Sequence, residues 1–293
     1  MNTRVAALLV AVLTLVSSPS LAADVKLGAK GFTENILAGE ITQQYLEAKG
    51  IPAKLTAGMG SSVVRQAIVS RQVDLYWEYT GPALVNFHKN PGVSRGEMVA
   101  KLNELDGQNG LVWLDSSGVN DTYALAMKRE TARTMGLKTT SDLAAAVKAG
   151  KKITFGCNAE FYGRKDGLVP MQEAYGFAFP RDTIVRMDSG LIYQAVRDGQ
   201  VDVGLVFSTD GRIPAFDFVL LDDDRQYHIP QVMTPVATKE ILSEHPQLRA
   251  LLKDISSRLD EAGMAKLNAQ VDVDKKTIPV VATEFLKGSG LLR

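Results

Sequence analysis

A repeat at a constant offset of 128 residues constrains this chain more than any other feature. Aligned without a gap, Val25–Thr80 and Ile153–Ser208 share Gly28 with Gly156, Met59 with Met187 and Ser61 with Ser189. Gln66-Ala67 falls on Gln194-Ala195, and Gln72-Val73-Asp74 on Gln200-Val201-Asp202. Tyr79-Thr80 meets Phe207-Ser208, and between these matches the segments diverge. A unit carried twice is expected to fold twice.

The hydrophobic pattern says what the unit is. Val25-Lys26-Leu27-Gly28 and Ile153-Thr154-Phe155-Gly156 read as short buried strands that stop at glycine. Thr33 to Ala48 carries Ile36, Leu37, Ile41, Tyr45 and Leu46 near helical spacing, and Ser62–Arg71 and Gly190–Asp198 read as shorter helices before a strand. Each copy is thus β-α-β-α-β, a parallel-sheet unit whose ligands gather beyond the carboxyl ends of the strands. Ala250 to Leu267 reads as one further helix, with Leu251, Leu252, Ile255, Leu259, Met264 and Leu267 on a buried face. A tail of that size is expected to return to the first unit. The chain is expected to cross between units near Val119-Asn120 and Asp223–Arg225, and two crossings permit a hinge.

The first residues read as an export signal. Arg4 precedes the apolar run Ala6–Val16, and Ser20-Leu21-Ala22 puts small residues at the cleavage positions, so the mature chain is expected to begin near Ala23 in the periplasm. The run is short for a membrane span. With 33 Lys+Arg against 33 Asp+Glu, the net charge argues against nucleic acid or an anionic membrane as the main partner. Cys157 is the single cysteine, so no internal disulfide forms, and its apolar surroundings read as core rather than as a reactive thiol. His88, His228 and His245 make no metal spacing, no nucleophile elbow or phosphate loop is present, and no cofactor is implied.

Several motifs occur in a fixed order: Gly28–Glu34 (GAKGFTE), Asp74–Gly81 (DLYWEYTG), Asn120–Ala126 (NDTYALA), Glu160–Gly167 (EFYGRKDG), Val196–Asp202 and Ser208–Ile213. By this ordered set the chain resembles the quaternary-amine-binding proteins of osmoprotection ABC importers, the receptors for glycine betaine, choline and carnitine. The resemblance implies an α/β, two-lobe type II periplasmic-binding-protein fold, each lobe a mainly parallel sheet flanked by helices, with a ligand cleft between lobes. Residues 23–119 and 226–293 would form the first lobe and 120–225 the second, after a signal peptide at 1–22. The implied partners are a small quaternary-ammonium or zwitterionic ligand and an ABC importer permease, and the implied species is a monomer.

A trimethylammonium group has no N–H to donate, so aromatic faces select it through cation–π attraction of about 0.5–2 kcal/mol per enclosed contact. By the resemblance, Tyr79 and Tyr123 are cage residues, Asp121 adds negative charge, and Lys30 and Arg164 sit where the family binds a carboxylate tail. The repeat independently puts Phe207 opposite Tyr79. Pro82 and Gln231 depart from the family pattern at the cage, which leaves room for a different zwitterion or an amino-acid-derived betaine. Each residue also has an ordinary reading: the tyrosines as core or rim, Lys30 as a solvated loop charge, Arg164 as a partner of Asp166, and Trp77 as core. Phe161 or Tyr162 is a further candidate for the cleft wall. The rival functions are a periplasmic enzyme, with Glu78 and Asp121 as its carboxylates, and a chaperone-like scaffold.

Overall fold

The computed structural model of the chain describes residues 24–90, 93, 94 and 96–292, so the expected export signal and its cleavage point lie outside the described residues. Among the described residues ten strands occur in chain order: β1 (Val25–Lys30), β2 (Ala53–Met59), β3 (Leu75–Tyr79), β4 (Leu111–Trp113), β5 (Tyr123–Lys128), β6 (Phe155–Cys157), β7 (Ile184–Arg186), β8 (Val203–Phe207), β9 (Phe218–Leu221) and β10 (Met233–Thr238). They build two five-stranded sheets flanked by helices, ordered β2-β1-β3-β10-β4 in lobe 1 and β7-β6-β8-β5-β9 in lobe 2.

The repeat is preserved down to hydrogen-bond register. Leu27 and Gly28 pair with Leu75 and Tyr76, as Phe155 and Gly156 pair with Val203 and Gly204. The helices Ser61–Val69 and Ser189–Arg197 begin and end at equivalent positions. Asp74 Oδ2 accepts from the Lys26 amide (2.9 Å), and Asp202 Oδ2 from the Thr154 amide (2.8 Å), so one carboxylate fixes the same strand entrance in each lobe. A Cβ at Gly28 would lie 2.9 Å from Val64, and one at Gly156 3.2 Å from Val201; the bare backbone lets neighbouring side chains close over the sheet.

Each sheet is mainly parallel, as expected: four of its five strands run the same way. In each, the β-α-β-α-β unit supplies the parallel trio, β2-β1-β3 or β7-β6-β8. The strand that has just crossed from the other lobe then pairs antiparallel, β10 beside β3 and β5 beside β8, and the edge strand, β4 or β9, pairs antiparallel with it and so runs with the trio. A crossing chain enters beside the strand it faces and runs against it, so each sheet carries one reversed strand.

The outgoing crossing lies at Val119–Asp121. The return, expected near Asp223–Arg225, comes later: Asn120 bridges Val232, and the Asp121 amide donates to the Gln231 carbonyl (3.1 Å). The Asp223 carboxylate holds the intervening chain on lobe 2 by accepting from Tyr175 Oη and from the amides of Tyr227 (3.0 Å) and His228 (2.8 Å). The expected Ala250–Leu267 helix is two helices, Leu248–Ser256 and Glu261–Asp272, because Asp260 caps the second by accepting from the Gly263 amide (2.6 Å). Both, with Ile278–Gly288, bury their apolar faces against β1 and the Thr33–Ala48 helix in the lobe 1 core.

Candidate functional site

Between the lobes runs a cleft of about 1040 Å³, walled by Phe32, Glu34 and Ser61 from lobe 1 and by Glu160, Arg186 and Phe207 from lobe 2. At its hinge end lies a recess of about 50 Å³ that gathers Tyr79, Tyr123, Asp121, Phe207, Lys30 and Arg164, six of the residues the sequence offered. Pro82 and Gln231 line it too. Both tyrosines and Phe207 sit at strand termini where β-strand alternation turns them inward: Tyr123 opens β5 and pairs in register with Phe207, which ends β8, while Tyr79 ends β3 opposite Met233.

The rings form a series across the cleft. Tyr79 lies 5.9 Å from Phe32, Phe32 stacks on Phe207 at 5.2 Å, and Phe207 stacks on Tyr123 at 5.2 Å. Phe161 meets Tyr123 edge-on at 5.2 Å from behind. Because Phe32 belongs to lobe 1 and Phe207 to lobe 2, their stack is a contact between lobes. The recess is small beside the cleft and shares Phe32, Asp121 and Phe207 with its wall.

The two cations are committed. Lys30 is buried and donates to the fully buried Glu78 carboxylate, with its ammonium 5.2 Å from the Tyr79 ring centroid. Arg164 grips Asp166 through Nε (2.9 Å) and Nη2 (2.7 Å) and donates to Tyr123 Oη at 3.2 Å. Its guanidinium is 5.2 Å from the Tyr123 centroid. Tyr79 and Tyr123 are thus each backed by a cation that itself has an acidic partner. Burial pushes the Tyr123 phenol up to about 12, against the opposing pull of Arg164, so it stays neutral.

Four residues escaped the sequence reading as site residues. Phe32 and Glu34 follow β1, Thr209 follows β8, and Asn268 comes from the C-terminal Glu261–Asp272 helix. Glu34 accepts from Tyr79 Oη (2.8 Å) and Asn268 Nδ2 (3.2 Å), and Thr209 Oγ1 lies 2.6 Å from it. The same Thr209 hydroxyl lies 2.9 Å from Asp121. Burial raises both carboxyls above their ordinary range, and Glu34 raises Asp121 further. The rule that ligands gather beyond strand carboxyl ends points to Phe32 and Thr209; nothing local points to Asn268.

The remaining candidates fall away from the recess wall. Trp77 is core and donates from Nε1 to Thr42 (2.9 Å). Tyr162 is exposed under Arg186, whose guanidinium is 4.9 Å from its ring centroid. Cys157 is buried, and burial pushes its thiol up to about 11, away from reactivity.

Residues 23–288 match the family described as the substrate-binding domain of ABC-type glycine betaine transport systems. A glycine-betaine-binding protein of Pseudomonas aeruginosa is 39% identical over 278 residues, which are 92% of this chain and 89% of that protein. An ergothioneine transport permease/ergothioneine-binding protein of Helicobacter pylori is 32% identical over 90% of this chain, which spans 47% of that protein's length. A crystal structure described as a glycine betaine/carnitine/choline ABC transporter superposes with a TM-score of 0.74 at 30% identity, covering 92% of this chain and 99% of that one. The fold is the two-lobe type II periplasmic-binding-protein fold. With the match running almost from end to end of both lobes, the chain belongs to the family of substrate-binding domains of ABC-type glycine betaine transport systems.

Proposed function

We propose that this protein captures a quaternary-ammonium osmoprotectant of the glycine betaine or choline kind in the ring-lined recess and hands it, in the periplasm and as a monomer, to the permease of an ABC importer. The observation that carries the reading is the ring series Tyr79, Phe32, Phe207 and Tyr123 spanning the two lobes. A spherical cation offers no hydrogen bond, and stacked faces from two lobes attract it only when they close on it together. Ligand recognition and domain closure are then one event. Lys30 and Arg164 stand at the recess edge for a carboxylate tail, which each would engage by sharing its cation with its present acidic partner. Residues 1–22 serve as the export signal. The protein performs no covalent chemistry on the ligand.

A second ligand reading has its own support. The cleft beyond the recess is some twentyfold larger and reaches Arg186 and Ser189, space that suits a bulkier amino-acid-derived betaine. The Helicobacter pylori relative named for ergothioneine adds to it. A thermal-shift and calorimetry panel of glycine betaine, choline, carnitine and ergothioneine separates the two. A ligand at a hundredfold excess over its Kd is expected to add about 2.7 kcal/mol of stability. Stabilisation by ergothioneine alone would favour the bulkier class, and stabilisation by none would end the quaternary-amine reading.

A further inference from the structure

Three buried side chains meet where both lobes and the hinge converge: Glu34 of lobe 1, Thr209 of lobe 2 and Asp121 of the outgoing crossing. Thr209 Oγ1 lies 2.6 Å from Glu34 Oε2 and 2.9 Å from Asp121 Oδ1. A hydroxyl has one proton to donate. With both carboxylates ionised, one of these contacts would set two lone pairs against each other where water is excluded. The other donors do not remove the shortage. Tyr79 Oη serves Glu34 Oε1, Asn268 Nδ2 serves Glu34 Oε2, and the Thr209 amide reaches Asp121 Oδ1 only at 3.4 Å.

The charged groups around the pair give no relief. Lys30 at the end of β1 is paired with Glu78 of β3, and Arg212 after β8 is paired with Asp210 and with Asp272 of the Glu261–Asp272 helix. Tyr79 is neutral, its phenol pushed well up by burial. Among the described residues the pair therefore has no cation of its own. A separate observation points at the same spot: Asn268, buried and on the cleft wall, keeps its Oδ1 without a hydrogen-bond partner.

We propose that Glu34 and Asp121 share one proton while the recess holds no cation, and that the cationic head of a ligand displaces it. The exchange balances: a carboxyl O–H breaks, its proton leaves to solvent, and the ligand's positive charge takes its place beside the carboxylate. The proton also serves as the joint between lobes, since only a protonated pair lets Thr209 bridge Glu34 to the hinge. Burial and mutual repulsion, which raise both carboxyls, favour the shared proton near neutrality. The sign of the coupling follows. A bound cation lowers the pair's affinity for its proton, so ligand affinity rises with pH, by up to about tenfold per unit, until the ligand-free pair is itself ionised. Acidification releases ligand.

This inference rests on the receptor reading above, and its test separates the two. Carboxyl-carbon NMR of ligand-free protein labelled at Asp and Glu is expected to show one protonated carboxyl near neutral pH, lost in Glu34→Gln, where the amide supplies the missing donor. Calorimetry of choline and glycine betaine in buffers of differing protonation enthalpy is expected to report release of one proton by wild type and none by Glu34→Gln. Both carboxyls found ionised without ligand would overturn the shared proton. Binding without proton release would overturn the displacement and leave the receptor reading intact. Failure of every quaternary amine to bind would remove the receptor reading, and the displacement with it.

Discussion

The Tyr79 side chain has two separable parts. Its ring faces the recess, while its hydroxyl donates to the buried Glu34 carboxyl at 2.8 Å. Tyr79→Phe keeps the π face and strips a donor from Glu34, so the expected loss is in stability, about 1–3 kcal/mol by chemical denaturation. Tyr123 differs: its hydroxyl receives a 3.2 Å contact from Arg164 and, among the described residues, carries no buried carboxyl, while its ring stacks on Phe207. Tyr123→Ala is expected to weaken quaternary-amine binding by about 1–2 kcal/mol in calorimetry, and Tyr123→Phe by less. Wild-type affinity in a folded Tyr123→Ala protein would remove that ring from the cage. The sequence pointed to both rings through the family motifs, and to Tyr79 through the repeat as well. It could not assign the hydroxyls, because Glu34 and Tyr79 are 45 residues apart and become neighbours only when β1 and β3 pair.

At the scale of elements, the Gln-Val-Asp motif of each repeat has a defined task. Asp202 accepts from both the amide (2.8 Å) and the hydroxyl (2.7 Å) of Thr154, and so fixes β6 beside β8 at the strand entrance. Asp74 makes the matching amide contact to Lys26. Asp202→Ala is expected to cost about 1.5–3 kcal/mol in urea unfolding, since it leaves backbone and hydroxyl donors without a charged acceptor. Asp74→Ala, with one such bond, is expected to cost less. Equal and negligible losses would mean that the carboxylates do not hold the strand entrances. Element boundaries were legible where periodicity and repeat agreed, as for the Thr33–Ala48 helix. They were not legible at Asp260, where a capping carboxylate interrupts an unbroken apolar period.

At the scale of the molecule, the lobes touch away from the rings as well. The turn Thr209–Arg212 of lobe 2 rests on the Glu261–Asp272 helix of lobe 1: Arg212 reaches Asp272 at 3.5 Å, and a Cβ at Gly211 would collide with Ala269 and the Ala265 carbonyl. The Gly211 backbone is ordinary right-handed helical, φ −66°, so any residue can adopt it. Gly211→Val is therefore expected to leave each lobe folded and to wedge the lobes apart. Small-angle scattering should show a larger radius of gyration, and ligand affinity should fall. Unchanged scattering and affinity would show that this contact is not needed for closure.

By itself the sequence determined the two-unit α/β plan, because a repeat fixes strand register through conserved spacing. Its ordered motifs, through the family resemblance, also pointed to Tyr79, Tyr123, Asp121, Lys30 and Arg164, and its repeat to Phe207. Tertiary structure alone decided how those groups are used. Lys30, readable as a solvated charge, is buried against Glu78, 48 residues away. The return crossing moved to Gln231–Val232 because Asp223 binds the intervening chain to lobe 2. Glu34, Thr209, Asp121 and Asn268 come from four separate stretches, and only the closure of one lobe on the other brings Thr209 to both carboxyls and Asn268 Nδ2 to Glu34. Such contacts depend on the path of the whole chain, and no local period or spacing records them.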